Sequence, residues 1–269
     1  MSDELQHYGV KGMKWGVRRA AKREFKKYIS NYDINNPNIE RKIGHSYRVA
    51  KTSKKIAETL NLEKEEIEVA ELIGLLHDIG RFEQQTIYKT YEDIQSIDHG
   101  ELGVEILKEK EYIRKYIKKN QYDEIINKTI FNHNKYEIEK DIKDQKTLMF
   151  CKIIRDSDKL DILYEAIEIF WKNKTKIKDG ISKKVIKDFK DEKLILNQDK
   201  VTQLEKAIGI ISFIYDINYI ESFKIIKEND YINKIMDKFE IGNNKVKEEF
   251  EEIRRIANKY IENKIQKER

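Results

Sequence analysis

Proline occurs once in this chain of 269 residues, at position 37. Because proline lacks an amide hydrogen and its ring clashes with the preceding turn, it interrupts helices and interior strands. Residues 38–269 contain no proline, so nothing of this kind breaks backbone hydrogen bonding over most of the chain. Apolar residues there recur mainly at helical spacing, and no hairpin signal stands out. We therefore predict an all-α fold.

Composition narrows the class of protein. Hydrophobic residues make up 39% and charged residues 38%, which describes a very polar chain with enough apolar content for a core. No apolar run approaches the ~20 residues of a membrane span, and the N-terminus lacks the apolar region of a secretory signal. The single cysteine, Cys151, excludes an intramolecular disulfide and suits a reducing cytoplasm. A net charge of +5 permits an anionic substrate. We expect neither a membrane nor a nucleic acid as a partner.

Residues 1–35 differ from the rest of the chain. The stretch 7–19 is rich in glycine, contains Trp15 and has no periodic apolar face. We interpret 1–35 as a flexible or docking segment. The stretch resembles a short peptide near the ends of head and morphogenesis proteins from phages of Gram-positive bacteria. This resemblance implies a phage origin, a location in the host cytoplasm, and a phage particle or host protein as partner for residues 1–30.

The ordered domain is expected to begin at Asn36-Pro37, because asparagine is a good N-cap and proline suits the first helical position. We predict a main domain over 36–230 and C-terminal helices over 231–269 that pack on it or extend it. Gly80 is interpreted as a helix stop before a loop. Helices are predicted from residue 37 and over 64–78, 99–109, 121–133, 145–170, 200–228 and 244–266, with loops over 81–97 and loops and short helices over 172–199.

Four of the five histidines lie on or next to predicted helices, and one of them is followed directly by an aspartate. These residues are His45, His77 with Asp78, His99 and His133. Three carboxylates follow on an otherwise apolar helix: Asp156, Asp158 and Asp161. Imidazole and carboxylate groups are ligands for Mn, Fe, Ni, Co and Zn. A buried carboxylate is costly unless it is paired or bound to metal, so at least one of the three should have a partner.

This order of a histidine, a His-Asp pair and a later aspartate resembles the HD superfamily of metal-dependent phosphohydrolases, from about residue 37 to 170. The resemblance implies an HD-domain helical bundle. It also implies a first metal held by His45, His77, Asp78 and Asp158. Asp158 is preferred over Asp156 because a basic residue and a leucine follow it, as is typical of the family. His99 and His133 match the extra histidines of binuclear members, in which Asp78 would bridge two ions.

Catalytic roles are predicted for Asp78, Arg81 and Lys159. Arg81 lies three residues after Asp78, where some binuclear relatives have a lysine, and Lys159 adjoins the last ligand. Both are candidates for binding phosphate. Arg41 and Arg48 lie about one helical turn from the first histidine, so they could reach the same cavity.

Three functions remain open from the sequence. The first is hydrolysis of a nucleotide or a cyclic dinucleotide or oligonucleotide by water activated by one or two divalent transition-metal ions. The second is a diiron oxygenase that uses the same helices, and the third is a non-catalytic, phage-associated interaction protein. His99 and His133 could also be ordinary helix-terminal histidines. Substrate, metal and oligomeric state, including a homodimer, are left open.

Overall fold

The computed structural model describes residues 19–267. Two compact units divide the chain between Ile154 and Arg155. The predicted domain boundary at residue 230 does not coincide with this division. Helices dominate both units, and the strands of the described residues are only two segments of three residues each. The predicted all-α class is therefore confirmed.

The first unit is built from helices joined by short connections. Its helices are α1 (19–29), α2 (Pro37–Thr59), α3 (Lys64–Leu76), α4 (Ile79–Tyr88), α5 (His99–Lys108), α6 (Asp123–Asn132) and the start of α7 (Gln145–Glu165). Short 3₁₀ turns cover Asp93–Gln95 and Glu109–Lys115.

Helix α2 begins as its sequence predicts. The Asn36 side chain accepts a hydrogen bond of 2.9 Å from the amide of Asn38, and Pro37 is the first helical residue. The helix packs against α3 at Gly74. A Cβ atom on Gly74 would lie 2.7 Å from Cα of Ala50 and 2.8 Å from Oγ of Ser53. The missing side chain therefore lets the two helix backbones come into close contact.

The predicted helix stop at Gly80 is wrong. Helix α3 ends at Leu76 and α4 covers Ile79–Tyr88, so part of the predicted loop 81–97 is helical. Gly80 does not have a positive φ angle, as a helix-ending glycine would. A Cβ atom there would instead collide with the carbonyl oxygen of His99 and lie 2.8 Å from the amide nitrogen of Gly103. Gly80 is therefore required where α4 crosses α5.

Helix α1 lies within the predicted flexible or docking segment 1–35, of which the structure describes residues 19–35. Phe25 is fully buried, and its ring makes edge-to-face contacts with Tyr47 and Phe82 at centroid distances of 5.6 and 5.9 Å. Residues 7–19 have no periodic apolar face, but α1 has one. Helix α1 is therefore part of the core of the first unit. Residues 1–18, which hold most of the phage-like peptide, lie outside the described residues.

The second unit contains shorter helices and a small parallel sheet. After the π-helical turn Ala166–Phe170 come β1 (Thr175–Ile177), α8 (Lys183–Lys190), α9 (Gln203–Ile211), α10 (Ile220–Glu228), α11 (Tyr231–Met236), β2 (Phe239–Ile241) and α12 (Asn244–Gln266), with 3₁₀ turns at Asn197–Asp199 and Ser212–Asp216. β1 pairs in parallel with β2, so that Thr175 lies opposite Phe239. The sequence did not predict this pairing.

The helix predicted over 200–228 is broken, and a buried carboxylate accounts for the break. Asp156 accepts hydrogen bonds of 2.9 Å from the backbone amides of Asn218 and Tyr219, and one of 2.7 Å from the Ser222 hydroxyl. These bonds satisfy amides ahead of α10 that a continuous helix would pair internally.

Helix α12 has the bounds that its sequence predicts. Its buried residues recur every three or four positions and form one apolar stripe: Phe250, Ile253, Ala257 and Ile261. Across residues 19–267, no helix combines the length and the apolar character needed to cross a lipid bilayer.

Truncation of Phe25 to alanine should destabilise the protein by about 3–5 kcal/mol, because it leaves a cavity between α1, α2 and α4. Chemical denaturation followed by circular dichroism measures this loss. Lys26→Ala, at an exposed neighbouring position, is the control and should stay within about 0.5 kcal/mol of the unchanged protein. Equal stabilities of the two variants would show that α1 does not belong to the core.

Candidate metal centre

The junction of α3 and α4 presents His77 and Asp78 side by side. His77 caps the C-terminus of α3, and Asp78 leaves the helical conformation with φ −101° and ψ 21° before α4 begins. This irregular backbone turns two neighbouring side chains toward the same point, where a regular helix would separate them by about 100°. His45 reaches that point from the middle of α2, and His99 and His133 reach it from the start of α5 and the end of α6.

Asp78 lies between two pairs of histidines. Its Oδ2 atom is 3.3 Å from Nε2 of His45 and 3.5 Å from Nε2 of His77. Its Oδ1 atom is 3.4 Å from Nε2 of His99 and 3.5 Å from Nε2 of His133. Each pair forms, with the shared carboxylate, a group whose ligand atoms all lie within 4.8 Å of one another. All five residues are at most 3% exposed.

The second nitrogen of three imidazoles is held in place by an acceptor. Nδ1 of His77 donates to the carbonyl of Gly74 at 2.8 Å, and Nδ1 of His133 donates to the carbonyl of Ile130 at 2.6 Å. Nδ1 of His99 donates to Oδ2 of Asp93 at 2.7 Å. With the proton on Nδ1, the lone pair of each Nε2 points toward Asp78, which is the tautomer that binds a metal.

The distances between the Nε2 atoms within each pair of histidines show whether a metal fits. Nε2 of His45 and Nε2 of His77 are 3.1 Å apart, and those of His99 and His133 are 3.0 Å apart. Two neutral imidazoles cannot both present lone pairs to each other at this distance without a proton or a cation between them. Imidazole and carboxylate donors are suited to transition metals rather than to Mg²⁺ or Ca²⁺. The described residues therefore fit divalent transition metals.

Two cations adjoin Asp78. The ammonium of Lys42 is 2.5 Å from Oδ2, and Nε of Arg81 is 3.6 Å from Oδ1. Burial by itself would raise the pKa of Asp78, but the Lys42 ammonium and the imidazoles hold that pKa well below its usual range. Burial and the Arg81 guanidinium lower the pKa of His99 to about 3. The carboxylate is therefore ionised and His99 is neutral at neutral pH, as ligands must be.

Asp93 and Lys42 belong to this site, and the sequence predictions missed both. Asp93 accepts hydrogen bonds from Arg81 at 2.9 Å and from Gln84 at 2.8 Å through Oδ1, while Oδ2 holds His99. It lay within the predicted loop, which offered no periodicity to place it. Lys42 lies one helical turn before His45. Arg41 and Arg48 also lie about one turn from His45, and the sequence prediction named only those two.

Two cations that the sequence singled out, Arg41 and Arg81, lie around the ring of Tyr91 together with Lys42. The guanidinium of Arg81 is 5.5 Å from the ring centroid of Tyr91, as is that of Arg41, and the Lys42 ammonium is 5.8 Å away. Arg48 lies over Gly44, where a Cβ atom would be 2.9 Å from its guanidinium.

The remaining predicted residues belong to the second unit. Asp158 and Lys159 follow one another on α7, so the ligand role of Asp158 and the catalytic role of Lys159 stay predictions. Asp156 accepts a hydrogen bond from the backbone amide of Asn218 in the loop before α10. Cys151 is buried, and its thiol lies 3.8 Å from the Thr129 hydroxyl, as expected for a small core residue.

Two family models match this chain. Residues 43–163 match the HD domain, and residues 1–22 match a family of unknown function (DUF7211). No curated protein and no solved structure matches the chain significantly. The first match supports the HD-domain superfamily, whose members are metal-dependent phosphohydrolases, and it includes Asp78 and all four histidines around it. The phage-like character of the N-terminal peptide stays a prediction.

Asp93→Asn should weaken binding of the metal at the His99 and His133 side by about 10–100-fold, because an amide no longer fixes the His99 tautomer as a carboxylate does. Competition with a chelator, in titrations with Mn²⁺, measures this affinity. Glu92→Gln changes an exposed neighbouring carboxylate in the same way and should leave both affinities unchanged. Equal affinities in the two variants would show that Asp93 does not support the metal ligand.

Proposed function

We propose that this chain is a metal-dependent phosphohydrolase that acts on a nucleotide or on a cyclic dinucleotide or oligonucleotide. The observation that supports this best is the position of Asp78, whose two oxygens each face a different pair of histidines. We infer two metal sites that share this carboxylate. Divalent ions held there by these residues would supply the Lewis acidity needed to activate water and to polarise a phosphoryl oxygen.

The cations beside the centre support a phosphorylated substrate. Arg41, Lys42 and Arg81 surround the ring of Tyr91 at 5.5–5.8 Å, and two of them contact Asp78. The hydroxyl of Tyr91 donates to the carbonyl of Asn38 at 2.9 Å, which fixes the ring against α2. We infer that this group orients the phosphate and stabilises the negative charge that grows on its oxygens during attack.

Arg81 has a second role that limits how it can act. Its Nη1 atom donates to Gln84, to the carbonyl of Tyr91 and to Asp93 at 2.6–2.9 Å. These bonds hold the guanidinium in one orientation. We infer that Arg81 contributes fixed positive charge, and that Lys42 is the more mobile cation of the pair because its contacts are fewer.

The alternatives use the same residues in other ways. A diiron oxygenase would use the same four histidines and the same carboxylate, and the three cations around Tyr91 would then bind an anionic substrate, so the identity of the bound metal distinguishes the two reactions. A non-catalytic role gives no reason for five buried ionisable groups, which are costly to keep in a core. A host or phage partner for residues 1–30, a homodimer and a cytoplasmic location stay predictions.

Asp78→Ala should abolish metal binding and phosphodiester hydrolysis together, because it removes a ligand from both sites. Metal content by mass spectrometry and hydrolysis of bis(p-nitrophenyl) phosphate with added Mn²⁺ test this, with circular dichroism to verify helicity. Glu105→Ala, an exposed carboxylate on α5, is the control and should behave like the unchanged protein. Full metal content in the Asp78 variant would refute the site.

His99→Ala and His133→Ala should each reduce bound metal to about half, because the pair formed by His45 and His77 still holds one ion. Metal stoichiometry of the purified variants, compared with the unchanged protein, measures the loss. Unchanged stoichiometry in both variants would show a mononuclear site in which these histidines are structural. Air-sensitive iron without phosphodiesterase activity would favour the oxygenase, and protein that takes up no metal would favour the non-catalytic role.

A further inference from the structure

Residues of α1 and of the segment 112–118 line an open cleft of about 540 Å³ in the first unit. We call it the α1 cleft. Its charged and aromatic lining residues are Arg23, Glu24, Lys27, Tyr112, Lys115 and Lys118. Ligand sites in proteins typically have volumes of about 300–1,000 Å³, so the α1 cleft has room for a small molecule.

The α1 cleft is far more basic than the chain as a whole. The chain has 54 lysines and arginines against 49 aspartates and glutamates, which is close to balance. Four cations line the cleft, and Glu24 is the only carboxylate among the described residues that line it. A concave surface lined mainly by one sign of charge strengthens the local potential and attracts ligands of the opposite sign. The α1 cleft therefore favours an anion.

Glu24 does not balance the charge of the α1 cleft. Its Oε1 atom is 2.9 Å from Nζ of Lys27 and 3.6 Å from Nε of Arg23. The hydrogen bond from Lys27 and the charges of Arg23 and Lys115 lower the pKa of Glu24, so this carboxylate is ionised at neutral pH. It supplies one negative charge against the four cations of the lining, which leaves an excess of three positive charges.

Lys115 and Lys118 are the cations that a ligand can reach most directly. Both residues are exposed, and within residues 19–267 neither forms an ion pair with a carboxylate. The Lys115 ammonium lies 4.1 Å from the ring centroid of Tyr112, which orients it by a cation–π interaction. An incoming anion therefore displaces no carboxylate from either lysine.

Both walls of the α1 cleft are fixed to the core. Tyr28 of α1 is buried, and its hydroxyl donates to the backbone carbonyl at the start of α4 at 3.0 Å. The ring of Tyr28 lies 6.0 Å from that of Tyr112, which also contacts the buried ring of Tyr116 at 5.7 Å. The carbonyl of Lys118 accepts a hydrogen bond of 3.0 Å from Nη1 of Arg114. The backbone that carries the cations is thus held in place before a ligand binds, which lowers the cost of binding.

We propose that the α1 cleft is a binding site for the phosphate groups of a small polyanion, with Lys115 and Lys118 as its main donors. Phosphate oxygens accept strong hydrogen bonds from ammonium groups, and a diphosphate carries several negative charges, which suits the excess of positive charge in the cleft. Free diphosphate and the phosphates of a nucleoside diphosphate share this chemistry. The proposal does not rest on metal-dependent hydrolysis, because no residue of the cleft belongs to the groups around Asp78.

The test uses the full-length protein in EDTA, titrated with inorganic diphosphate by calorimetry. The double variant Lys115→Met, Lys118→Met removes two charges and keeps most of each stem, and should weaken diphosphate binding by about tenfold or more. The matched control is Lys26→Met, Lys108→Met, which removes two charges at exposed positions that do not line the cleft. It should change the dissociation constant by less than about twofold.

Glu24→Gln tests the same site in the opposite direction. It removes the one carboxylate of the lining and leaves Arg23 and Lys27 free to bind phosphate, so it should tighten diphosphate binding by about threefold or more. A residue that only stabilises the fold would not produce a gain in affinity.

A parallel titration with ADP distinguishes the sources of the phosphate groups. ADP that binds more tightly than diphosphate would identify a nucleotide as the ligand, and equal affinities would identify the diphosphate group alone. Either result supports the α1 cleft as the site if the cleft variants change both affinities.

Three results would overturn the proposal. They are no diphosphate binding at millimolar concentration, equal weakening by the two double variants, and an affinity that Glu24→Gln leaves unchanged. Arg41→Met removes a cation beside Tyr91 instead. Binding that this variant abolishes and that the cleft variants leave intact belongs to the metal centre, and it too overturns the proposal. Thermal melting verifies that each variant is folded, and the presence of EDTA separates this outcome from that of hydrolysis.

Discussion

The carboxylate of Asp78 is a buried negative charge, and much of the first unit is arranged around it. An ionised carboxylate in a protein interior is strongly unfavourable unless opposite charges or hydrogen bonds surround it. Here Lys42, Arg81 and four imidazoles lie within 2.5–3.6 Å of its two oxygens. These groups come from α2, from the junction of α3 and α4, from α5 and from the end of α6, so these elements must all meet at one point.

Two of the histidines are oriented by the same local device. His77 and His133 each occupy the C-cap of a helix, and each donates from Nδ1 to the carbonyl three residues earlier. Carbonyls of the last helical turn lack a partner within the helix, so an imidazole at the cap satisfies one of them. The same bond places the Nδ1 proton and turns Nε2 inward. At these two positions, a single hydrogen bond therefore caps the helix and also orients the ligand.

Close contacts between helix backbones bring the ligands within reach of one another. Gly74 lets α3 lie directly on α2, one turn before His77, and Gly80 lets α4 lie on the start of α5, where His99 is. A side chain at either position would move a helix by a few tenths of an ångström or more. Because ligand atoms tolerate little displacement, these glycines matter for the site as well as for packing.

The sequence alone determined the class of fold and the start of α2, because helix caps and periodic apolar residues are local signals. It also singled out the four histidines and Asp78 as residues that belong together. It did not determine that Gly80 lies inside a helix, that Asp93 supports His99 or that Lys42 contacts Asp78. It also placed α1 outside the core and 200–228 in one helix. Only tertiary structure decided these points, since each depends on a contact between residues distant in the chain: Gly80 with His99, Phe25 with Tyr47 and Phe82, and Asp156 with Asn218. Periodicity describes which face of a helix is buried, but it does not say which helix covers that face.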